Sequence, residues 1–219
     1  MRRGWTWRLI LASSAVGALV VATTLNRGPA WSLVTVTGDG IAVVNDRPIP
    51  LGHLDDLRRA LRPGARIRIG AGAAVEVETP RGLVLGIGPG TDFTLPTPTA
   101  RWVGREIRTV VQWGEVRITT GPAYPGARLL VKTRETEIAV DGTTLSVTSE
   151  PAGTCVSVLE GVVLMSDHGG PPIAIERGRR RCFFNDDRGV EDDALNPEEQ
   201  ETLGAFRLRH RRRLASVAR

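Results

Sequence analysis

The side chains that most often carry out catalysis or bind metals are few in this sequence and far apart. The three histidines are His53, His168 and His210. No two of them have the short spacing of a zinc site, and Cys155 and Cys182 are 27 residues apart, without a C-x-x-C motif. Ser157 lies inside an alternating apolar and polar segment rather than at the strand-to-helix turn of a serine nucleophile. We therefore expect no enzymatic activity, no cofactor and no metal site.

The other motifs that could bind a ligand favour structural roles. The run GIGPG at residues 86–90 resembles a phosphate-binding loop, but a strand follows it, so it lacks the helix N-terminus that would bind a phosphate. Paired acids occur at residues 55–56, 186–187 and 192–193, without the spacing of a calcium loop. We expect the first pair on a solvated helix face and the other two in a polar loop.

Cys155 and Cys182 could form a disulfide if this part of the chain is exported. Secreted and periplasmic compartments are oxidising, and a bridge would close a loop of 27 residues and stabilise the fold by about 3 kcal/mol. Two unpaired thiols are the alternative, because the sequence does not give the Cα–Cα distance that a disulfide requires.

The N-terminal segment has the pattern of a membrane anchor. Leu9–Leu25 contains no charged residue, and as a helix it would span about 26 Å, slightly less than the hydrocarbon core of a bilayer. Trp5 and Trp7 precede it where interfacial aromatic rings prefer to lie, and three arginines before it orient the N-terminus into the cytoplasm. We predict a single-pass protein of the cytoplasmic (inner) membrane, with the chain from about residue 26 onward exported to the periplasm. The alternative is a signal peptide whose cleavage releases a secreted protein.

The basic character of the chain is concentrated at its two ends. The 219 residues carry a formal net charge of +5 and a pI of about 10.4, values that are typical of nucleic-acid-binding proteins. Nine of the 29 basic and three of the 24 acidic residues lie in 1–25 and 196–219, which leaves 20 basic and 21 acidic residues in 26–195, a net charge of −1. Because the body is neutral, we expect no nucleic-acid partner.

Short segments of alternating apolar and polar residues make up most of the chain between residues 34 and 190. Turn signals such as Pro63-Gly64 and Asp141-Gly142 separate these segments at intervals of roughly 8–12 residues. Period-2 alternation gives each strand one buried and one solvated face, so we predict an all-β domain, an antiparallel sandwich or stacked β-roll. A short linker at 27–33 precedes this domain, and one short helix near residues 54–61 interrupts it.

We predict that the C-terminal piece, residues 191–219, is an acidic linker followed by a basic amphipathic helix. Asn196 and Pro197 suit an N-cap and the first helical position, and Leu203, Phe206 and His210 recur at helical spacing. The candidate contacts to an anionic lipid surface or to a partner protein are Arg207, Arg211, Arg212 and Arg213. A solvated tail is the alternative.

One stretch of consecutive predicted strands is specific enough to indicate a family. Residues 131–163 contain V-x-T, then I-x-V-x-G-T, x-L-x-V and T-x-V-x-V-x-E-G-x-V. The residues at the characteristic positions are Gly142, Thr143, Val147, Glu160 and Gly161. This order, together with LRPGARIRIG at residues 61–70, resembles the FecR-type periplasmic domain of iron-dicitrate sensor regulators over about residues 34–185.

The resemblance implies a non-catalytic β domain that receives or relays protein contacts outside the cytoplasmic membrane. Regulatory members of that family have a cytoplasmic anti-sigma region before the membrane helix, whereas about eight residues precede Leu9 here, so we expect no such region. The leading hypothesis is a membrane-anchored module that contacts envelope proteins in signalling or scaffolding. The alternative is a lipid- or glycan-binding carrier, whose apolar interior would have to stay open for a ligand.

Overall fold

A computed structural model of the protein describes residues 31–97, 106–121, 124, 128–167 and 170–216. The strands in these residues are β1 Ser32–Gly38, β2 Ile41–Val44, β3 Arg47–Pro50, β4 Arg66–Ile69, β5 Ala73–Glu78, β6 Leu83–Ile87, β7 Asp92–Thr94, β8 Glu106–Thr120, β9 Arg128–Lys132, β10 Thr136–Val140, β11 Thr144–Glu150, β12 Gly153–Glu160, β13 Val162–Asp167, β14 Ile173–Glu176, β15 Arg179–Phe184 and β16 Val190–Ala194. The helices are α1 Leu54–Ala60 and α2 Pro197–Ser216.

The predicted membrane anchor at 9–25, with Trp5 and Trp7 before it, lies outside the described residues. Neither α1 nor α2 combines the length and the apolar character that a membrane-crossing helix needs.

The strands form two sheets that share β8. Sheet I has the order β1-β5-β6-β8-β11-β12-β15-β16, and sheet II has the order β3-β2-β4-β7-β8-β9-β10-β13-β14. Residues 106–113 of β8 pair with β7 and β9 in sheet II. Residues 114–120 of the same strand pair with β6 and β11 in sheet I. One strand of 15 residues therefore joins the two sheets.

Gly114 lies where β8 passes from one sheet to the other. Its φ is +86°, a left-handed backbone conformation that residues with a side chain rarely adopt. A Cβ at this position would stand 2.5 Å from Thr91 Oγ1 and 2.6 Å from Thr91 Cα, so β7 and β8 could not approach as they do. The crossing of β8 between the sheets thus requires a glycine.

The inner faces of the two sheets bury one continuous apolar core. Val75, Ile118 and Val147 of sheet I belong to the same buried cluster as Ile67 and Val131 of sheet II. Alternation along each strand produces this core, since every second side chain turns inward. The prediction of an all-β domain is therefore confirmed.

The prediction that the strands are all antiparallel is wrong at one pair. β8 and β9 are parallel, with Glu106 opposite Arg128 and Val110 opposite Lys132. Alternation of apolar and polar residues indicates that a strand is present and which face is buried, but it does not indicate the direction of a neighbouring strand. Sheet II is consequently a mixed sheet, with one parallel pair of strands among antiparallel pairs.

The ends of the β domain differ from those that the sequence indicates. β1 begins at Ser32, inside the segment predicted as a linker at 27–33, and β16 extends to Ala194, beyond the predicted domain end at residue 190. Asp192 and Asp193 therefore lie in the edge strand β16 instead of the predicted polar loop. The side chains of Arg179 and Arg181 on β15 both form ion pairs with Asp192, which compensates for the weak strand preference of acidic residues.

Candidate functional site

Helix α2 lies on the outer face of sheet I, opposite the main core. The Asn196 side-chain oxygen accepts a hydrogen bond of 2.8 Å from the Glu199 backbone N–H, and Pro197 is the first helical residue. The predicted N-cap and helix start are confirmed. The alternative of a solvated tail is wrong for residues 197–216, because the helix packs on the sheet.

A narrow apolar contact holds α2 on the sheet. Phe206 and Leu214 on the helix form a small buried cluster with Val84 on the outer face of β6. The Phe206 ring lies over Gly86, where an added Cβ would come within 3.0 Å of Phe206 Cε2. This cluster is separate from the core between the sheets.

Three carboxylates flank this contact, and each binds a basic residue of α2. We call Glu76, Glu78 and Glu160 the acidic rim. Arg209 Nη2 donates to Glu76 Oε1 over 2.8 Å, and Arg213 Nη1 donates to Glu78 Oε1 over 3.1 Å. On the opposite side, Arg207 Nη2 donates to Glu160 Oε1 over 2.6 Å. The charges of the helix therefore face charges of opposite sign on the sheet.

His210 is the most deeply buried polar residue of the helix. Only 2% of its surface is exposed, its Nε2 lies 3.0 Å from Glu76 Oε2, and its ring packs edge-on against Phe206 with centroids 4.9 Å apart. Burial raises the pKa of the Glu76 carboxyl, but the hydrogen bonds from His210 and Arg209 outweigh that effect and hold the pKa below its ordinary value. Glu76 is thus an ionised partner of the helix at neutral pH.

The first turn of α2 lies beside the two cysteines. Glu199 Oε1 accepts a hydrogen bond of 3.2 Å from Ser157 Oγ and lies 3.6 Å from Arg180 Nε. Cys155 on β12 is directly opposite Cys182 on β15, and their sulfur atoms are joined as a disulfide, 2.10 Å apart. Both ends of the helix are therefore attached to sheet I, and the disulfide ties together the strands below its N-terminal end.

The four arginines predicted to contact a partner or lipid divide into two kinds. Arg207 and Arg213 bind the acidic rim of their own chain. Arg211 and Arg212 are exposed, and Arg211 borders a surface cleft of about 320 Å³ that also includes Glu160. An intramolecular contact is thus the role that the structure gives to half of these residues.

Four of the residues that carry the family resemblance lie at or next to the ends of β11 and β12, and Val147 lies in the middle of β11. Gly142 forms the β10–β11 turn, the Thr143 backbone N–H donates to Thr120 Oγ1 over 2.9 Å, and Val147 is buried in the core. Gly161 connects β12 to β13 with φ +84°. The two glycines, Thr143 and Val147 maintain the fold, whereas Glu160 belongs to the acidic rim.

Within the residues that the structure describes, no group of three or more histidine, cysteine or acidic side chains could hold a metal ion. His53 lies on the surface next to α1, 3.7 Å from Asp56, and is far in sequence from His210. His168 lies outside the described residues.

Sequence reasoning missed the part of this site that belongs to the sheet. Glu76 and Glu78 alternate with Val75 and Val77. This alternation indicates that the two carboxylates face outward, but it does not indicate which residues they bind. Arg209 and Glu76 are 133 residues apart, and no local pattern predicts a contact over that distance.

Comparisons with known proteins find one family model that matches part of the chain, and solved structures with a similar fold. The family described as FecR protein matches residues 65–164. Two crystal structures of a candidate anti-sigma factor from Parabacteroides distasonis ATCC 8503 are similar in fold, with a TM-score of 0.52 and 19% sequence identity over 61% of this chain and 61% of that chain. The sequence matches none of the curated proteins. The acidic rim and Cys155 lie inside the matched range, whereas Cys182 and α2 lie beyond it.

Proposed function

Because this chain carries a FecR domain at residues 65–164, we propose that the protein is a non-catalytic, membrane-anchored regulator that contacts other proteins in signalling across the cell envelope. The family match is the observation that carries this proposal. The similar crystal structures support the fold of the domain, and the protein that they represent is described as a candidate anti-sigma factor.

The filling of the core favours an interaction module over a lipid or glycan carrier. A carrier must leave apolar side chains uncovered between its sheets so that a ligand can enter. Here the inward-facing side chains of both sheets, such as Leu85, Ile118 and Ile138, are fully buried against one another in a single cluster. The alternative function of a carrier with an internal site is therefore disfavoured.

The proposed location follows from the sequence of residues 1–26. The uncharged segment 9–25 anchors the chain in the cytoplasmic membrane, the arginines before it keep the N-terminus in the cytoplasm, and the β domain lies in the periplasm. An oxidising periplasm is also the compartment in which Cys155 and Cys182 would remain joined. The partners that we propose are envelope proteins together with the membrane itself.

Photo-crosslinking in intact cells tests this function. A photoreactive residue is placed at one of several exposed positions of the full-length chain, and proteins and lipids are both analysed in the crosslinked material. We expect a defined envelope protein to be recovered from some positions and not from others. Recovery of lipid alone, with no protein, would instead support a carrier.

The mass of the membrane-bound chain tests the anchor. We expect the full-length mass in a membrane fraction that resists extraction with high salt. A mature N-terminus near Thr23 would contradict the anchor and support a secreted protein.

A further inference from the structure

The acidic rim and the helix that occupies it belong to different parts of the chain. Glu76, Glu78 and Glu160 lie inside the range that matches the FecR family, and α2 lies outside it. The helix adds none of its residues to the core between the sheets, because Phe206 and Leu214 form a separate cluster with Val84. Because α2 takes no part in that core, the outer face of sheet I is a surface that α2 covers rather than one that it builds.

This surface has the chemistry of a receptor for a basic amphipathic helix. Its centre is apolar and accepts a ring above Gly86, and its carboxylates lie on two opposite sides of the helix. An occupant needs an aromatic residue, a basic residue next to it, further basic residues three, four and seven positions on, and an apolar residue eight positions on. These requirements are read from the contacts of residues 206–214 of α2, FRLRHRRRL, the segment that covers the surface in this structure.

The contacts of α2 are of a kind that a competitor could replace. The arginines at 207, 209 and 213 are about half exposed, and exposed ion pairs contribute little net stability each. The helix also covers the surface with a small apolar area compared with the core. Its release would therefore leave the two sheets and their common core in place.

We propose that the outer face of sheet I, between Glu76 and Glu160, is a binding site for a basic amphipathic helix of a partner protein, and that α2 blocks this site by binding to it intramolecularly. The proposal rests on the proposed function, since it names the surface and the kind of partner through which the protein contacts are made. Tethering gives α2 a high effective concentration at the site, so a partner helix must bind more tightly or act when α2 is released.

A labelled peptide with the sequence of residues 195–216 tests this site on the full-length protein. The variant Arg207→Glu with Arg213→Glu places two carboxylates against the acidic rim, and we expect this repulsion to release α2 without a change in the sheet. We expect the peptide to bind the released variant at least tenfold more tightly than the wild type in fluorescence anisotropy. Adding Glu76→Gln to the released variant should weaken the binding again.

A control peptide separates recognition from general charge attraction. It keeps every arginine but has alanine in place of Phe206 and Leu214, and we expect its affinity to fall at least tenfold. If the release variant does not fold, a protease site inserted between Leu195 and Asn196 allows α2 to be cut free from the folded wild type, and the exchange of the cut helix for labelled peptide is measured.

Equal binding of the two peptides, or no peptide binding to either form of released protein, would overturn the proposal. Binding of the released variant to vesicles of anionic phospholipid, with no peptide binding, would also overturn it and assign α2 to a membrane surface. The crosslinked envelope protein could also be recovered equally with wild-type and released chains, from positions on another surface. That result would support the proposed function and show that the proposed site is wrong.

Discussion

At the scale of single residues, Glu76 connects the sheet to the helix more closely than any other carboxylate of the acidic rim. It accepts hydrogen bonds from both Arg209 and His210, and its pKa is held below the ordinary value although burial acts in the opposite direction. Hydrogen bonds to an ionised group contribute about 1.5–3 kcal/mol, more than those between neutral groups. The charge of Glu76 therefore contributes to holding α2 in place.

Replacing Glu76 by glutamine should lower the free energy of unfolding by about 2 kcal/mol at pH 7. A carboxyl with a lowered pKa in the folded state gives its full stabilisation above the ordinary pKa and loses it as the pH falls through the folded value. The difference between wild type and Glu76→Gln in urea unfolding should thus be present at pH 7 and shrink as the pH falls below about 4.5. Glu137→Gln, at an exposed carboxylate of β10, is the control and should change stability little. A difference that does not vary between pH 3 and 7 would contradict this role.

The disulfide offers a second prediction at single residues. Cys155→Ala with Cys182→Ala removes a cross-link that closes 27 residues, and the entropy of the unfolded chain predicts a loss of about 3 kcal/mol. Reduction of the wild type with a dithiol should cause a similar loss, whereas the same reductant should not affect the double variant. Equal stability of oxidised and reduced wild type, measured by urea unfolding, would show that the thiols are unpaired in the native protein.

At the scale of elements, Phe206 is the residue through which α2 packs on sheet I. Its side chain is fully buried over Gly86, and Phe→Ala substitutions at buried positions typically cost 3–5 kcal/mol. We expect a cost of about 3 kcal/mol for Phe206→Ala, measured by chemical unfolding. Leu208→Ala on the same helix is the matched control, because Leu208 is 64% exposed and its loss should cost little. Similar effects of the two variants would mean that α2 does not pack on the sheet in solution.

The crossing of β8 between the sheets gives a prediction for a second element. Gly114→Ala brings a methyl group against Thr91, on a backbone with positive φ, and we expect a loss of more than about 3 kcal/mol or failure to fold. Gly90→Ala has nearly the same backbone strain but open space around the new methyl group, so it should cost only about 1 kcal/mol. Thermal unfolding of both variants compares these losses, and a milder effect at Gly114 than at Gly90 would refute the crossing.

The elements also show how far the sequence determines the fold. Alternation at β5, with Val75 and Val77 inward, and the Asn196 cap of α2 are local patterns, and both are observed. The parallel pairing of β8 with β9 and the contact of α2 with Glu76 depend on residues that are distant in sequence, and no local pattern contains them. The strand at Asp192 was missed because its stabilising arginines lie on the neighbouring strand.

At the scale of the whole molecule, the structure shows what the basic residues near the C-terminus bind. The neutral body of the chain led us to expect no nucleic-acid partner. Basic residues of α2 instead bind Glu76, Glu78 and Glu160 of the same chain. The core between the sheets is apolar, whereas α2 is attached by a small apolar cluster together with several charged contacts to the acidic rim. The molecule should therefore have two levels of stability, one for the release of α2 from sheet I and one for the unfolding of the two sheets. Salt should lower the first and leave the second largely unchanged.

Hydrogen exchange of the native protein at low and high salt measures these two levels. Raising the sodium chloride concentration from about 50 mM to about 500 mM screens the exposed ion pairs of α2, and we expect its backbone amides to exchange about three to ten times faster. The amides of β6, β8 and β11, which surround the apolar core, should keep their protection, because burial of apolar surface is not weakened by screening. The variant Arg212→Gln is the control, since Arg212 is exposed outside the acidic rim and its replacement should leave the salt response of α2 unchanged. Exchange of α2 and the core strands at one common rate, with the same dependence on salt, would mean that the helix is released only when the whole domain unfolds, and the site on sheet I could then never be vacated by the folded protein.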